Sequence, residues 1–461
     1  LQLGMAGEVR KRGAPILLSE ERGNKRPRAS KELASGHLFL NKLEVLPHAF
    51  NEQAFSLSEL VERIRPILSL HFSFMIDIEW LMEQYPKSFS SYPMTLVVGK
   101  KMGSDSKWLT AEVSKRKLEN VSVVGVDLPL PYGTHHSKLS LFESDKAIHV
   151  VISTSNLVPS DWETKTQLFY YTTGQLQDHE ATTSSLLSAD LLDYLNRYGK
   201  MPQLDYWKER LKYAKFEEHG DRLLFSTPGY HTGASMKQVG HLRLRSLLEA
   251  HRKAHSGLDT TSSSQASSTS SLSYGSQGET KLLVCQASSI GSLGGRPEAW
   301  MHGPFLSSLT AGGAAKNSRL MLVYPTEEDV RGSMIGLASG SSLPYSRATG
   351  EKQPWLISSM CKWRSERLGR SRAMPHVKTY CQFDSTTRQL EWMAVTSANL
   401  SKAAWGEEQK NGSQLMIRSF ELGVLLFDRD RFLLPYDYPL CKYQKDDKPW
   451  YVDILHESLR E

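Results

Sequence analysis

The sequence predicts an α/β protein of two similar domains related by a pseudo-twofold axis, each a mixed β-sheet flanked by helices. Three observations carry this. At 461 residues the chain is long enough for two domains. Strand-like and helix-like stretches alternate along it, the pattern of a largely buried sheet with helices over it. And one short pattern occurs twice. Gly133-Thr-His-His-Ser-Lys138 is followed by Thr154-Ser-Asn156-Leu157, and Met374-Pro-His-Val-Lys378 by Thr396-Ser-Ala-Asn399-Leu400. Each copy holds His-x-Lys, an Asn 20 residues (136 to 156) or 23 residues (376 to 399) after the His, and a Trp six residues after the Asn, Trp162 or Trp405. Self-similarity of this kind marks an internal duplication.

The elements follow in order. A basic segment, 1–35, carries Arg10, Lys11, Arg12, Arg22, Lys25, Arg26 and Arg28 and few large apolar residues, so it is expected to be a disordered tail. Apolar residues at helical spacing predict helices over 57–64 and over 78–85, the second stopped by Pro86. Apolar, β-branched runs predict strands over 94–99, 121–126 and 147–153. Helices follow over 187–195 and 207–216, and a Thr-Pro-Gly turn ends the first half. The domains are read as 36–222 and 223–461, with a Ser-rich flexible loop at 256–279. In the second half, strands are expected over 281–285, 320–324 and 391–396, and a helix over 327–335. The Gln-Leu runs at 166–171 and 413–418 read as equivalent strands closing the two repeats.

Composition narrows the function. Hydrophobic residues make up 39% and charged residues 23%, ordinary for a globular chain. No apolar run approaches the length of a membrane span. Four cysteines, Cys285, Cys361, Cys381 and Cys441, lack Cys-x-x-Cys spacing, which argues against a zinc site or a disulfide framework. No cofactor and no metal are expected. A net charge of +6 suits a protein that meets a polyanion. Lys25-Arg-Pro-Arg28 reads as a nuclear-import cluster, so the expected location is the nucleus.

His-x-Lys alone is weak, because a chain this long holds roughly one accidental match. His251-Arg-Lys253 is read as that accident, on a solvated helix face. The other two matches are followed by strands that end at an Asn. A phosphodiester needs a nucleophile, a proton donor for the leaving group and positive charge for the non-bridging oxygens. His136 and His376 would supply the first two, and Lys138, Lys378, Asn156 and Asn399 the last.

These residues resemble the phospholipase D superfamily, whose mark is His-x-Lys with an Asp five residues after the Lys, given twice. Here those places hold Glu143 and Phe383. The departure is similar to the tyrosyl-DNA phosphodiesterase branch, which lacks that Asp. Ala373-Met-Pro-His-Val-Lys-Thr-Tyr380 and Val395-Thr-Ser-Ala-Asn-Leu-Ser-Lys-Ala-Ala-Trp-Gly406 carry the likeness furthest. The resemblance implies a phospholipase D-like fold and a metal-independent DNA-repair hydrolase, a monomer. It would cleave the 3′-phosphotyrosyl bond left on DNA by trapped topoisomerase I, and other blocked 3′ ends, through a phosphohistidine, leaving a 3′-phosphate. His136 would be the nucleophile and His376 the acid and then the base. Gln167 and Glu421 would be partners of the histidines. DNA would meet Tyr132 by stacking and Ser288, Ser289, Gly291, Ser292, Lys352 and Ser401 through its phosphates. The substrate partner is a single-stranded or frayed DNA 3′ end carrying a tyrosyl peptide, with no membrane involved. The rival readings are another nuclease or phospholipase of the superfamily, and a non-catalytic module that binds DNA ends.

Overall fold

The strands form where β-branched and aromatic residues cluster, because stiff, branched side chains fit a pleated surface. The run Ala147–Ser153 is buried at every position but His149, so it lies inside a sheet covered on both faces. The computed structural model describes residues 32–100, 105–181, 185–256, 281–312, 318–384 and 386–460. The basic tail and the Ser-rich loop lie almost wholly outside the described residues.

The first sheet takes β1 (His37–Asn41), β2 (Ala54–Phe55), β3 (Leu68–Phe72), β4 (Met94–Gly99), β5 (Val121–Val126), β6 (Leu139–Glu143), β7 (Ala147–Ser153), β8 (Leu168–Leu176) and β9 (Ala214–Phe216). Its order is β2-β1-β8-β7-β6-β3-β4-β5, with β9 added beside β8. The second sheet takes β10 (Arg222–Ser226), β12 (Lys281–Gln286), β13 (Arg319–Val323), β14 (Met360–Cys361), β15 (Thr379–Asp384), β16 (Leu390–Thr396) and β19 (Glu421–Leu426), in the order β10-β19-β16-β15-β12-β13-β14. A small third sheet joins β11 (Gly229–Thr232), β18 (Gln414–Ile417) and β17 (Glu407–Gln409).

The duplication is visible in this order. Strands β1-β8-β7-β6-β3-β4-β5 and β10-β19-β16-β15-β12-β13-β14 match one for one. In each set the first four pairings are antiparallel and the last two parallel. Each His-x-Lys runs into the fourth strand of its set, β6 or β15, and each Asn follows the strand beside it, β7 or β16. One expected equivalence fails. The run at 413–418 belongs to the small sheet, as β18, and the strand equivalent to β8 in the second repeat is β19. Gln414-Leu415 matched Gln167-Leu168 by letter, but the hydrogen-bonded position belongs to Glu421-Leu422.

The helices follow their caps. Ser56 and Glu59 form a capping box at the start of the helix Leu57–Ile64. The helix expected over 207–216 runs instead from Pro202 to Tyr213, because Pro202 fits a first turn, and Phe216 then packs over Gly174 as an added strand. The helix expected over 327–335 stops at Arg331, where Gly332 caps it. His251 lies on the helix Gly240–Ser256 and is half-buried, stacked on Phe427 at 3.7 Å, while Lys253 is exposed.

One apolar core runs through both sheets, from Leu70 and Val150 to Leu283 and Val424. Strands β7 and β8 pack on β19 and β16. Two buried arginines tie the halves together. Arg431 pairs with Asp221 at 2.6 Å. Arg370 donates to the Asn41 carbonyl at 2.6 Å and to its side-chain oxygen at 3.1 Å. Asn41 in turn donates to the carbonyls of Trp162 and Lys165, both at 2.8 Å, and accepts from the Gln167 N–H at 2.9 Å. The segment that carries Gln167 is thus fixed by side chains from both halves.

Candidate active site

Each His-x-Lys segment lies extended just before its strand, so alternate side chains point to opposite sides. His135 and Ser137 point inward. His135 bonds the Tyr198 hydroxyl at 3.0 Å and sits against Phe72 and Phe420, and burial pushes its pKa down to about 3. His136 and Lys138 point the other way. The Lys138 ammonium turns back to donate to the His136 carbonyl at 2.9 Å, and Lys378 does the same to the carbonyl of His376.

Each segment is completed by the opposite repeat. The His136 N–H donates to the Phe420 carbonyl at 2.9 Å, and the His376 N–H to the Thr166 carbonyl at 3.1 Å. The next residue in each case reaches the imidazole. Glu421 Oε2 lies 2.9 Å from His136 Nδ1, and Gln167 Nε2 lies 3.0 Å from His376 Nδ1. A hydroxyl supports each partner: Ser397 donates to Glu421, and Thr154 to Gln167 Oε1 at 2.7 Å. The crossing follows from the packing of β7 on β19 and of β8 on β16. It makes one site from two half-sites, and neither repeat holds a complete set alone.

The two partners differ in charge, and that sets the chemistry. A carboxylate only accepts, so Glu421 holds a proton on His136 Nδ1 and leaves Nε2 with its lone pair outward. Burial lowers the His136 pKa, Glu421 opposes it, and Lys138 and Lys378 push it further down. His376 is held well below the usual imidazole range by burial and by Lys378, Lys165 and Lys138, against the pull of Asp161. Burial also brings Lys138 down to about 8 and holds Lys378 well below its ordinary value, with Lys138 beside it adding to the effect. Two buried lysines side by side, with Asp161 and Glu421 near them, make a site suited to an anion.

The two Asn are not alike. Asn399 Oδ1 accepts from the Ser288 N–H and hydroxyl and from the Ser289 N–H, at 3.2, 3.1 and 2.9 Å, so its NH2 group is the end left for a ligand. Asn156 donates from its backbone and its NH2 to Asp161 Oδ2, at 2.7 and 2.9 Å, and its buried Oδ1 has no hydrogen-bond partner.

Residues 37–444 match the sequence model of tyrosyl-DNA phosphodiesterase. A probable tyrosyl-DNA phosphodiesterase of Caenorhabditis elegans is 44% identical over 421 residues, covering 90% of this chain and 88% of that protein. The chain belongs to the tyrosyl-DNA phosphodiesterase family. Tyrosyl-DNA phosphodiesterase 1 of Drosophila melanogaster is 33% identical over 422 residues, covering 84% of this chain and 68% of that one. A crystal structure of the yeast tyrosyl-DNA phosphodiesterase has the same fold, with a TM-score of 0.67 at 17% identity over 90% of this chain and 99% of the other. Members of this family are hydrolases of phosphodiester bonds, and they carry the duplicated phospholipase D-like sheet described above.

Glu143 and Phe383, which stand where the wider superfamily has its Asp, have other work in this family member. Glu143 pairs with Arg210 at 2.7 Å, and Phe383 stacks on Tyr438 at 4.3 Å. Tyr132 is 85% exposed on a turn next to His136. Its φ of +59° is unusual for a bulky residue, and the turn is braced by Arg418, which donates to the Pro131 carbonyl at 2.9 Å. Gly133 is required there, since a Cβ would stand 2.2 Å from the Arg418 carbonyl oxygen. A Cβ on Gly291 would stand 2.7 Å from the Ser401 Cβ, and the Gly291 N–H donates to the Leu400 carbonyl at 3.0 Å. Ser292 and Lys352 are exposed, whereas Ser288 is buried behind Asn399 and Ser401 caps the short helix Lys402–Trp405.

Three site residues escaped the sequence reading. Thr154 and Ser397 each stand two before the Asn, inside the repeated motif, and that shared hydroxyl was a usable signal. Asp161 was hidden, because the same place in the second repeat holds Ala404.

Proposed function

We propose that this site hydrolyses the 3′-phosphotyrosyl bond between DNA and a topoisomerase I-derived tyrosyl peptide, through a phosphohistidine on His136. The observation that carries this is the unequal pairing of the two histidines, one with an anionic acceptor and one with a carboxamide. His136 Nε2 attacks phosphorus, the bond from phosphorus to the tyrosyl oxygen breaks, and His376 protonates that oxygen. A water then attacks the phosphohistidine, His376 takes its proton, and the P–N bond breaks to leave a 3′-phosphate. Lys138, Lys378, the NH2 group of Asn399 and the second N–H of the Asn156 NH2, whose first N–H is held by Asp161, hold the non-bridging oxygens. The DNA strand lies over Tyr132 and along Ser288, Ser289, Gly291, Ser292, Ser401 and Lys352, with Ser288 acting through Asn399. Other blocked 3′ ends are secondary substrates. The same reading places the domain boundary near residue 222, the working form as a monomer and the place of work in the nucleus.

The test is incubation of a 3′-phosphotyrosyl oligonucleotide in excess EDTA. Lys138 and Lys378 supply the positive charge that a divalent ion would otherwise bring to the phosphate, so cleavage to a 3′-phosphate end should proceed at an undiminished rate. Loss of activity that added divalent ion restores would sink the reading.

The pH dependence follows from Lys138. Free enzyme should lose kcat/KM as pH rises through about 8, because the ammonium that meets the phosphate gives up its proton. A bound phosphate favours the charged form, so the fall in kcat should begin at higher pH than the fall in kcat/KM. Profiles that fall together would contradict this. Tyr132→Ala should weaken binding of single-stranded 3′ ends by about 1–3 kcal/mol, the range for one lost base stack. An equilibrium titration at fixed salt measures it, and unchanged affinity removes Tyr132 from the site.

A further inference from the structure

His376 has a second neighbour that the paired arrangement of the repeats does not require. Asp161 Oδ2 lies 3.3 Å from His376 Nδ1. The carboxylate is buried on the short helix Pro159–Glu163. Its other oxygen meets the Lys165 ammonium at 2.9 Å, and Oδ2 also takes the two Asn156 donors. These contacts and the nearby imidazole hold the carboxyl well below its usual range against the effect of burial. The counterpart in the other repeat is Ala404, beside a histidine whose partner Glu421 is already anionic. A carboxylate thus stands near each histidine, supplied by different positions in the two repeats.

The chemistry of the proposed reaction asks for such a group. A histidine that gives up the Nε2 proton must hold another on Nδ1, or it would be left as an imidazolate. When it later takes a proton from water at Nε2, that same Nδ1 proton must have stayed in place. As placed, Gln167 turns its NH2 group to Nδ1 and favours the proton on Nε2; a proton on Nδ1 requires the carboxamide turned end for end, with Oε1 accepting from Nδ1 and Nε2 meeting the Thr154 hydroxyl. Its support permits that turn: the Thr154 hydroxyl reaches Gln167 Oε1 at 2.7 Å or the Leu168 carbonyl at 3.1 Å. Asp161 can only accept. The other charged groups that face His376 are Lys378 on its own segment, Lys165, and Lys138 from the first repeat, and all three oppose an imidazolium. Asp161 is the anion that offsets them.

We propose that Asp161 is the positioning residue that keeps a proton on His376 Nδ1 through both steps, so that Nε2 alone gives and takes the transferred proton. The assignment rests on the acid-then-base role given to His376 above. Its consequence is that Asp161 matters most when the leaving group most needs a proton.

The experiment compares Asp161→Asn with the wild-type chain on two oligonucleotides, one ending in 3′-phosphotyrosine and one in 3′-phospho-p-nitrophenol, whose more acidic phenol leaves without protonation. Cleavage of the tyrosyl substrate should slow by about tenfold or more, while the nitrophenyl substrate changes far less. The limb set by His376, distinct from the Lys138 fall near pH 8, should move to lower pH on the tyrosyl substrate, since the imidazolium has lost its anion, and Asp161→Glu should restore it. Equal slowing of both substrates with an unmoved limb would make Asp161 a structural residue and overturn the proposal. A second measurement needs no variant of Asp161. Imidazole ¹⁵N shifts of the wild-type chain should place the proton of neutral His376 on Nδ1, and a proton found on Nε2 overturns the proposal by itself. Wild-type enzyme that cleaves neither oligonucleotide would instead refute the reaction proposed above, so the two failures are distinct.

Discussion

His136→Ala should abolish turnover and covalent capture of DNA together, with activity down roughly 10⁴-fold or more, as for loss of a nucleophile that acts as part of a unit. The expectation follows from geometry. Glu421 fixes the Nδ1 proton of His136 at 2.9 Å, so Nε2 is the nucleophile this site presents. His376 is not equivalent, since its partners are a carboxamide and an offset carboxylate. It should therefore not substitute. Single-turnover assays with labelled 3′-phosphotyrosyl DNA and a denaturing gel measure both quantities. A His136→Ala protein that still forms an adduct would reverse the assignment.

His376→Ala should behave differently. A general acid contributes roughly 10²–10⁴-fold, but a phenol with a pKa of about 10 is a fair leaving group, so the first step survives in part. Hydrolysis of the phosphohistidine still needs an activated water, and this step should slow more. The variant should then accumulate a protein–DNA adduct that decays slowly. His376→Arg should do the same, because a guanidinium supplies charge without a usable base. Disappearance of the adduct at the wild-type rate would show that another group activates the water.

Much of this was readable in the chain before folding, and the limits are physical. His136, Lys138, His376 and Lys378 were legible because contiguous residues alternate along an extended segment. The α/β class was legible from β-branched runs between helical patterns. The closing strand of the second repeat was misplaced at 413–418, because Gln-Leu there copies Gln167-Leu168 by letter. The true counterpart, Glu421, had changed residue type while keeping its hydrogen-bonding place. That Glu421 serves the histidine of the other repeat depends on how β7 packs on β19 and β8 on β16, which no local pattern carries. Asp161 was invisible for a related reason: a duplication reveals what both copies share, and Ala404 has no carboxylate. The lowered pKa of Lys138 is a burial effect, and burial is a property of the assembled sheets.

The central claim is that one histidine attacks phosphorus and the other moves the proton. It is tested most directly by locating the covalent bond. A His376→Arg protein, reacted with 3′-phosphotyrosyl DNA and digested with protease and nuclease, should yield one modified peptide, the one containing His136. The modification should be acid-labile, as a P–N bond is, and should carry the 3′ nucleotide. A bond mapped to any other residue, or no bond in a protein that still cleaves the substrate, would contradict the account and leave direct attack by water as the mechanism.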